Sequence, residues 1–500
     1  MATRANTVVQ DHPAVERRLY ASSIAIVLLT VLALLIRLWH LGYRSLWFDE
    51  GATVQFATMP LGDWLRFLWH GEANMLPYYV MLRGWLHLPH GHSEFMVRLP
   101  SALFGAATLP VIYALVRRSA GALAGLIAAA LLAFHEFHVS YSQEARSYSM
   151  VAFMLSVSWL ALARLVEKDS RRMRWLYLIS AGLATYGHFF AGIVLMSQWI
   201  SVYWLAPSET VERLRKLSWI SAAIVLPAVL YGSAHRGGLN WVPPLNWARL
   251  VYAATAFSGG NTVLIATFAL LVGIALWRAA KIIAAHRRSP TSWNIGAPIC
   301  WLLFMPALLL AVGTIKPVLV PRYLVLVLPA LVIVVATALA ELKPAAASAV
   351  AVVLALVLLN TTVAHKSNEQ AHQDWRSAGR YIAAHAEPGD GALFSPDIGR
   401  APFTWYWHEQ PATPPELVYP GRGPAFTLPG AHRSPESTLE ALRTAPPPRS
   451  WFLLTTPDWD PKTPLFRTQL AMLYPHSCEH QLGEVLIVLY AKNAADCPVN

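Results

Sequence analysis

Five hundred residues, 55% of them hydrophobic and only 13% charged, do not describe a water-soluble chain, in which about a quarter of the residues carry charge. The formal charge of +11 admits nucleic acid, an anionic membrane surface or an anionic substrate as partners; nucleic acid is the weakest, because the basic residues lie between apolar runs rather than on one basic, aromatic-laced domain. Three cysteines, Cys300, Cys478 and Cys497, exclude a disulfide scaffold and any multi-cysteine zinc or iron-sulfur module.

The first apolar run, 20–39, is long enough to cross a hydrocarbon core of about 30 Å and is followed by no small-residue cleavage site. It reads as a retained helix after a short cytoplasmic N-terminus, 1–19. Further apolar runs at 96–116, 119–139, 148–166, 175–189, 191–206, 217–234, 261–280, 297–314, 323–340 and 345–360 make eleven expected spans within 20–363. Lys and Arg cluster in alternate connections, at Arg17 and Arg18, Arg117 and Arg118, 164–174, 213–216 and 278–288, so the N-terminus is expected inside. Counting 76–90 as a span would place Arg117 and Arg118 outside. That stretch is therefore expected as an interfacial or re-entrant helix in a first outer loop, 41–95.

Eleven spans starting inside leave 364–500 on the extracytoplasmic side. There the composition turns to prolines and short apolar stretches of strand length, GALFSP, SWFLLTT and GEVLIVLYA, preceded by the amphipathic WRSAGRYIAAH. The expected fold class is mainly α: a polytopic transmembrane helix bundle of about eleven spans with a small C-terminal extracytoplasmic α/β domain. Cys478 and Cys497 lie in that domain, and a disulfide and two free thiols both fit their spacing.

Three polar segments in the expected outer loops carry chemistry. SLWFDEG places Asp49 and Glu50 just beyond the first span, where a carboxylate can take a proton from an attacking hydroxyl or amine, or bind a divalent cation. Capping of the helix that follows is the structural alternative. The same loop continues through Glu72 and Asn74 to LPYY, with Tyr78. The second segment, HVSYSQEARSYS, combines Glu144, Arg146 and Tyr148, suited to a metal, a phosphate and a sugar hydroxyl, or to a plain Glu–Arg ion pair; Glu136 and His135 lie one turn inside. In the third, TIKPVLVPRYLVLVLP, Lys316 and Arg322 can clamp a phosphate, as point charge and bidentate fork, or can snorkel to the interface. His188 in a short turn, and Arg236 with Trp241 and Trp247 in GGLNWVPPLNW, fit a cavity lining or an aromatic belt. No P-loop, dinucleotide fingerprint, HExxH or GxSxG is present, so nucleotide-driven transport has no support.

SLWFDEG at 45–51, LPYY at 76–79, VRLPSALFGAATLPVIYALVRR at 97–118, YSQEARSYS at 141–149, YGHFF at 186–190 and PRYLVLVLP at 321–329 together resemble the membrane-embedded glycosyltransferases of the GT-C superfamily. The group they resemble includes bacterial relatives of the protein O-mannosyltransferases and the lipid A aminoarabinose transferases. DWRSAGRYIAAH at 374–385 also looks like the start of the outer domain found in many bacterial members.

The resemblance implies a multi-pass protein of the bacterial cytoplasmic membrane. Such a hexosyl- or pentosyltransferase moves a sugar from a polyprenyl-phosphate carrier to a protein, lipid or glycan acceptor on the extracytoplasmic face, with inversion. It implies Asp49 as base with Glu50 beside it, Glu144 and Arg146 as the second-loop motif, which Tyr148 adjoins, and Arg322 with Tyr323 near the donor phosphate, where Lys316 can add its charge. Asn74, Tyr78 and His188 are the expected acceptor or sugar contacts. Asp49 and Glu144, with Glu50, offer oxygens to magnesium or manganese. Relatives often carry His-Pro-Pro or Lys-Pro before the paired tyrosines, where this chain has Asn74-Met75-Leu76-Pro77. A transporter or flippase of lipid-linked sugars is the alternative from another class.

Overall fold

Long apolar stretches form helices that are either buried all round or turned to lipid, because every backbone polar group must be satisfied within the segment. The computed structural model describes residues 13–70, 74–88, 93–234, 242–367, 373–407, 410, 414–421, 434–455, 460 and 462–497. Glu72, Arg236 and Trp241 lie outside the described residues.

The membrane region begins with α1 (Pro13–Leu38), followed by three short helices, α2 (Phe48–Thr58), α3 (Leu61–His70) and α4 (Leu76–Leu86). It continues with α5 (Glu94–Ala133), α6 (Glu136–Ser142), α7 (Tyr148–Glu167), α8 (Arg171–Gly187), α9 (Ala191–Leu205) and α10 (Ser208–Ala234). Then come α11 (Trp247–Phe257), α12 (Thr262–Ala285), α13 (Pro290–Gly313), a 3-10 helix at Pro321–Leu326, α14 (Leu328–Leu339) and α15 (Pro344–Ser367).

Every expected span has a helical counterpart, yet among the described residues seven helices are long and apolar enough to cross a membrane: α1, α5, α7, α10, α12, α13 and α15. The second half of α5, α8, α9 and α14 are the remaining four, each shorter than 18 residues. Two expected spans are corrected. The 119–139 run is broken: Gly121 takes φ +86°, open to glycine at little cost, and the helix stops at Ala133 before α6 restarts at Glu136. The 323–340 run opens as a 3-10 helix at Pro321, and the α-helix begins only at Leu328.

Arg37, near the end of α1, shows why α5 can end inside the protein. Its fully buried guanidinium donates to Ala33 O, Leu132 O and Ala133 O at 2.9, 3.4 and 3.2 Å and meets His138 Nδ1 at 2.7 Å. A cation on the last carbonyls of a helix satisfies groups that otherwise have no intrahelical partner. At the centre of the bundle α14 packs on α5, α12 and α13, and all its residues but Thr337 are buried. Val27, Leu28 and Val31 on α1 and Val229 and Leu230 on α10 stay exposed, as lipid-facing positions do. The expected interfacial helix at 76–90 is α4, but it buries Tyr78, Tyr79, Leu82 and Leu86 against its neighbours α2 and α8.

The C-terminal domain comprises α16 (Trp375–His385), β1 (Gly391–Ser395), α17 (Arg400–Trp407), β2 (Glu416–Tyr419), α18 (Pro435–Thr444), β3 (Ser450–Thr455), α19 (Thr463–Leu473), β4 (His476–Leu482) and β5 (Val485–Ala491). The sheet order is β2-β1-β3-β5-β4, with β1 parallel to β2 and β3 and with β5 antiparallel to β3 and β4. Alternation along the strands feeds two cores. Phe394, Leu453 and Ile487 join Trp375 and Ile382 on one face, while Leu393, Phe452 and Val488 join Phe466 and Leu470 on the other. Cys478 and Cys497 are disulfide-bonded, which ties β4 to the segment after β5. The domain docks on α2: a Cβ built on Gly51 would stand 2.5 Å from Pro402 N, so only glycine permits this approach.

Candidate functional site

The turn into α2 presents the adjacent carboxylates to different surroundings, because consecutive helical residues point about 100° apart. Glu50 is 1% exposed and faces inward. Its Oε1 accepts from Arg98 Nε and from Ala145 N, both at 2.8 Å, and its Oε2 accepts from Arg98 Nη2 at 2.7 Å and Trp47 N at 3.4 Å. Arg98 spends its other donors on Leu41 O, Arg44 O and Ser45 O. Burial pushes the Glu50 carboxyl up, but Arg98 and the Ala145 N–H pull it back below the usual carboxylate range. Glu50 was expected beside Asp49 in the reacting pair; its position is that of a buried anchor joining α2, α5 and the loop before α7.

Asp49 keeps a partly open position. Its Oδ2 lies 3.0 Å from Arg322 Nη1 and 3.6 Å from Arg146 Nη2. Arg146 is fixed in turn, because Nη1 donates to Asp49 O at 3.2 Å and to Thr53 Oγ1 at 3.1 Å, both on α2. Thus the first-loop carboxylate, the second-loop arginine and the arginine after Pro321 converge, although the sequence places them in three separate segments. Aromatic rings back the cluster: Arg322 lies 6.0 Å from the Trp47 ring and Arg146 6.0 Å from the Tyr148 ring. Tyr148 and Tyr323 are buried, with His188 between them at ring distances of 5.9 and 4.9 Å.

Glu144 opens onto a second feature, a cavity of about 980 Å³ that reaches Pro321, the neighbour of Arg322. Its walls include Glu136, Tyr141, Tyr252 and His365, with Gly483 and Glu484 contributed by the β4–β5 turn of the C-terminal domain. Glu144 Oε2 is shielded from solvent and has no hydrogen-bond partner among the described residues. Burial first, and the Glu50 carboxylate second, push the Glu144 carboxyl up to about 7. Glu136 holds Ser140 Oγ at 2.8 Å and lies 3.6 Å from His365 Nε2.

Four expected contacts land elsewhere. Tyr78 is fully buried, its hydroxyl 2.8 Å from Ser101 Oγ, and so lacks an open face for a sugar. Asn74 is a tether, its Oδ1 accepting from Phe189 N at 3.1 Å and joining the first loop to the α8–α9 turn. His188 is buried, accepts from Phe190 N at 3.3 Å, and is held down at about 3 by burial and then by Arg322 and Arg146, so it is a neutral ring behind Tyr323. Lys316 is exposed on the turn after α13, while the cations touching Asp49 are Arg146 and Arg322. The expected oxygen set for a divalent cation does not converge: Glu50 is saturated by Arg98 and backbone donors, and Asp49 is engaged by guanidinium groups. Among the described residues no three His, Cys, Asp or Glu side chains group as metal ligands. Arg98 was missed as the partner of Glu50, although a cation in the first turns of a span always needs a buried partner or water.

Residues 76–232 match a family model described as dolichyl-phosphate-mannose-protein mannosyltransferase. No curated protein matches the sequence. Among solved structures the chain is similar to ArnT from Cupriavidus metallidurans in the apo state, with 15% identity and a TM-score of 0.63 over 96% of this chain and 100% of that one. It is similar to the same protein bound to undecaprenyl phosphate, with 13% identity and a TM-score of 0.57 over 95% and 99% of the two chains. It is also similar to the archaeal oligosaccharyltransferase AglB from Archaeoglobus fulgidus in complex with an inhibitory peptide and a dolichol-phosphate, with 11% identity and a TM-score of 0.56 over 97% and 75%. At such identities the likeness is one of fold. With the helix bundle and the appended sheet domain, the chain shares the fold of these membrane glycosyltransferases, and residues 76–232 of its membrane region match the mannosyltransferase family model.

Proposed function

We propose that the chain transfers a sugar from a polyprenyl-phosphate carrier to an acceptor at the extracytoplasmic face of the bacterial cytoplasmic membrane, by a single displacement with inversion. The observation that carries the reading is the shared Asp49 Oδ2, held by Arg322 and Arg146 at 3.0 and 3.6 Å. Two guanidinium groups on one carboxylate oxygen mark a place built for concentrated negative charge, and a lipid phosphate supplies more of it. Solved structures of the same fold are bound to undecaprenyl phosphate and in complex with a dolichol-phosphate, which supports a carrier of that class.

In this mechanism the acceptor oxygen or nitrogen attacks the anomeric carbon on the side opposite the phosphate. The bond from that carbon to the phosphate oxygen breaks, and the electron pair leaves on the phosphate, where Arg322 and Arg146 offset the growing charge. The acceptor proton passes to Asp49. Both guanidinium contacts of Asp49 use Oδ2, so Oδ1 is the oxygen positioned to receive it. One displacement needs no second, nucleophilic carboxylate, in contrast to retaining hydrolysis.

The test is transfer or release of radiolabelled sugar from synthetic polyprenyl-phosphate sugars by the purified protein, with mass spectrometry of co-purified lipid to guide the choice of carrier. Product of inverted anomeric configuration is expected. Binding of the carrier and its movement across a vesicle membrane, without cleavage of the sugar bond, would replace this reading with that of a flippase.

A further inference from the structure

The segment that leads into α2 is held from two sides, by Arg98 of its own membrane region and by the C-terminal domain. Leu46 N donates to Tyr406 Oη at 2.7 Å, Arg376 N donates to Ser45 Oγ at 3.2 Å, and Phe48 N donates to Gln373 Oε1 at 3.0 Å across 325 positions of chain. Phe48 is the first residue of α2, and the residue before it, Trp47, has no side-chain oxygen with which to accept from the helix's opening N–H groups. A side chain of the C-terminal domain therefore satisfies the first of the helix's opening N–H groups from outside. Gln373 is itself immobilised. Its Oε1 also accepts from Trp375 Nε1 at 3.1 Å, its backbone bridges to Gly483, and it is 6% exposed. Behind it Tyr406 Oη donates to Glu94 Oε1 at 2.9 Å, Arg376 pairs with the same carboxylate, and Pro402 closes on Gly51.

We propose that the C-terminal domain is a positioning element of the transfer site: Gln373 caps α2 from another domain and so holds Asp49, one residue beyond the capped amide, against Arg322 and Arg146. The proposal rests on the reading of Asp49 as the acceptor's base, and its test separates the two.

Full-length Gln373→Leu, which removes the acceptor, and Gln373→Glu, which retains it, are compared with wild type in nanodiscs by amide hydrogen exchange and by transfer kinetics with the carrier found active for wild type. Gln373→Leu is expected to raise exchange in the 46–53 peptide by about 2- to 30-fold, the range spanned by loss of a helix cap, with peptides of β1, β3 and β5 unchanged. Its kcat falls while the KM for acceptor holds, and Gln373→Glu restores both exchange and kcat. Unchanged exchange at 46–53 in the Leu variant overturns the proposal, as does a defect confined to acceptor KM, which would make the domain an acceptor-binding module. If wild type transfers no sugar, the enzymatic reading fails, and the exchange data alone still decide whether Gln373 holds α2.

Discussion

Asp49 and Arg322 stand 273 positions apart in the chain and meet at 3.0 Å between Oδ2 and Nη1. The contact requires the N-terminus of α2 and the 3-10 helix after Pro321 to reach the same end of the bundle. It joins the group proposed to take a proton to the group proposed to hold phosphate.

Asp49→Asn tests the division of labour between them. The amide keeps the shape of the side chain but is a far poorer base, so kcat is expected to fall by about 10²- to 10⁴-fold, the usual range for a lost general base. The arginines lose a competing anion, so binding of a polyprenyl phosphate should hold or tighten. Near-wild-type turnover, measured with radiolabelled donor, would remove Asp49 from the proton transfer.

Arg322→Lys asks whether the guanidinium geometry matters or only the charge. Lys is a point charge on a flexible stem and cannot form a planar fork on phosphate, nor stack as Arg322 does near the Trp47 ring. A loss of about 10- to 100-fold in kcat/KM is expected, with weaker carrier binding in the same variant. If Lys supports full activity, simple neutralisation of Asp49 is the role of Arg322.

Removing one partner of the Glu50–Arg98 pair leaves a buried charge uncompensated. Glu50→Gln and Arg98→Met should each destabilise the protein by about 3–5 kcal/mol, visible as a large fall in the thermal unfolding midpoint in detergent. The double variant should recover part of that loss. The pH dependence follows from the direction of the shift: the folded carboxyl titrates below the unfolded one, so its stabilisation is present above the ordinary glutamate range and is lost as pH falls through the depressed folded value. A loss of activity in Glu50→Gln with an unchanged melting midpoint would instead give Glu50 a direct part in the reaction.

The spans were legible because apolar length is written locally, and so were α16, β1, β3 and β5, each a run of the right period and length. The break in α5 was not, since Arg37 ends that helix from another one, nor was the shortness of α14, since burial inside the bundle lets it be shorter than a bilayer. Within the site, Asp49, Arg146 and Arg322 were readable as polar residues in apolar surroundings on the expected outer side. The difference between Asp49 and Glu50 was unreadable, because it depends on Arg98, 48 positions away, and on which side of one helical turn each carboxylate faces. Gln373 carried no signal at all. A neutral amide just before α16 looks like any solvated loop residue until the helix it caps is seen.

Glu144 gives a pH-dependent test. Its carboxyl is raised from an ordinary value of 4.5 to about 7, so the folded protein holds a proton that the unfolded chain has already released between those values. On this group's account stability falls as pH rises across that window, and Glu144→Gln should remove the slope. Binding should respond in the same sense. Above pH 7 the ionised carboxylate adds negative charge beside Arg322 and Arg146, opposing an anionic ligand. A non-reacting phosphodiester of a short polyprenol, whose own charge is constant between pH 6 and 8, is therefore expected to bind wild type roughly 3- to 10-fold more weakly at pH 8 than at pH 6. The Glu144→Gln variant should bind it equally at both. A wild-type affinity that is flat over the same range would show that Glu144 does not face the anion site.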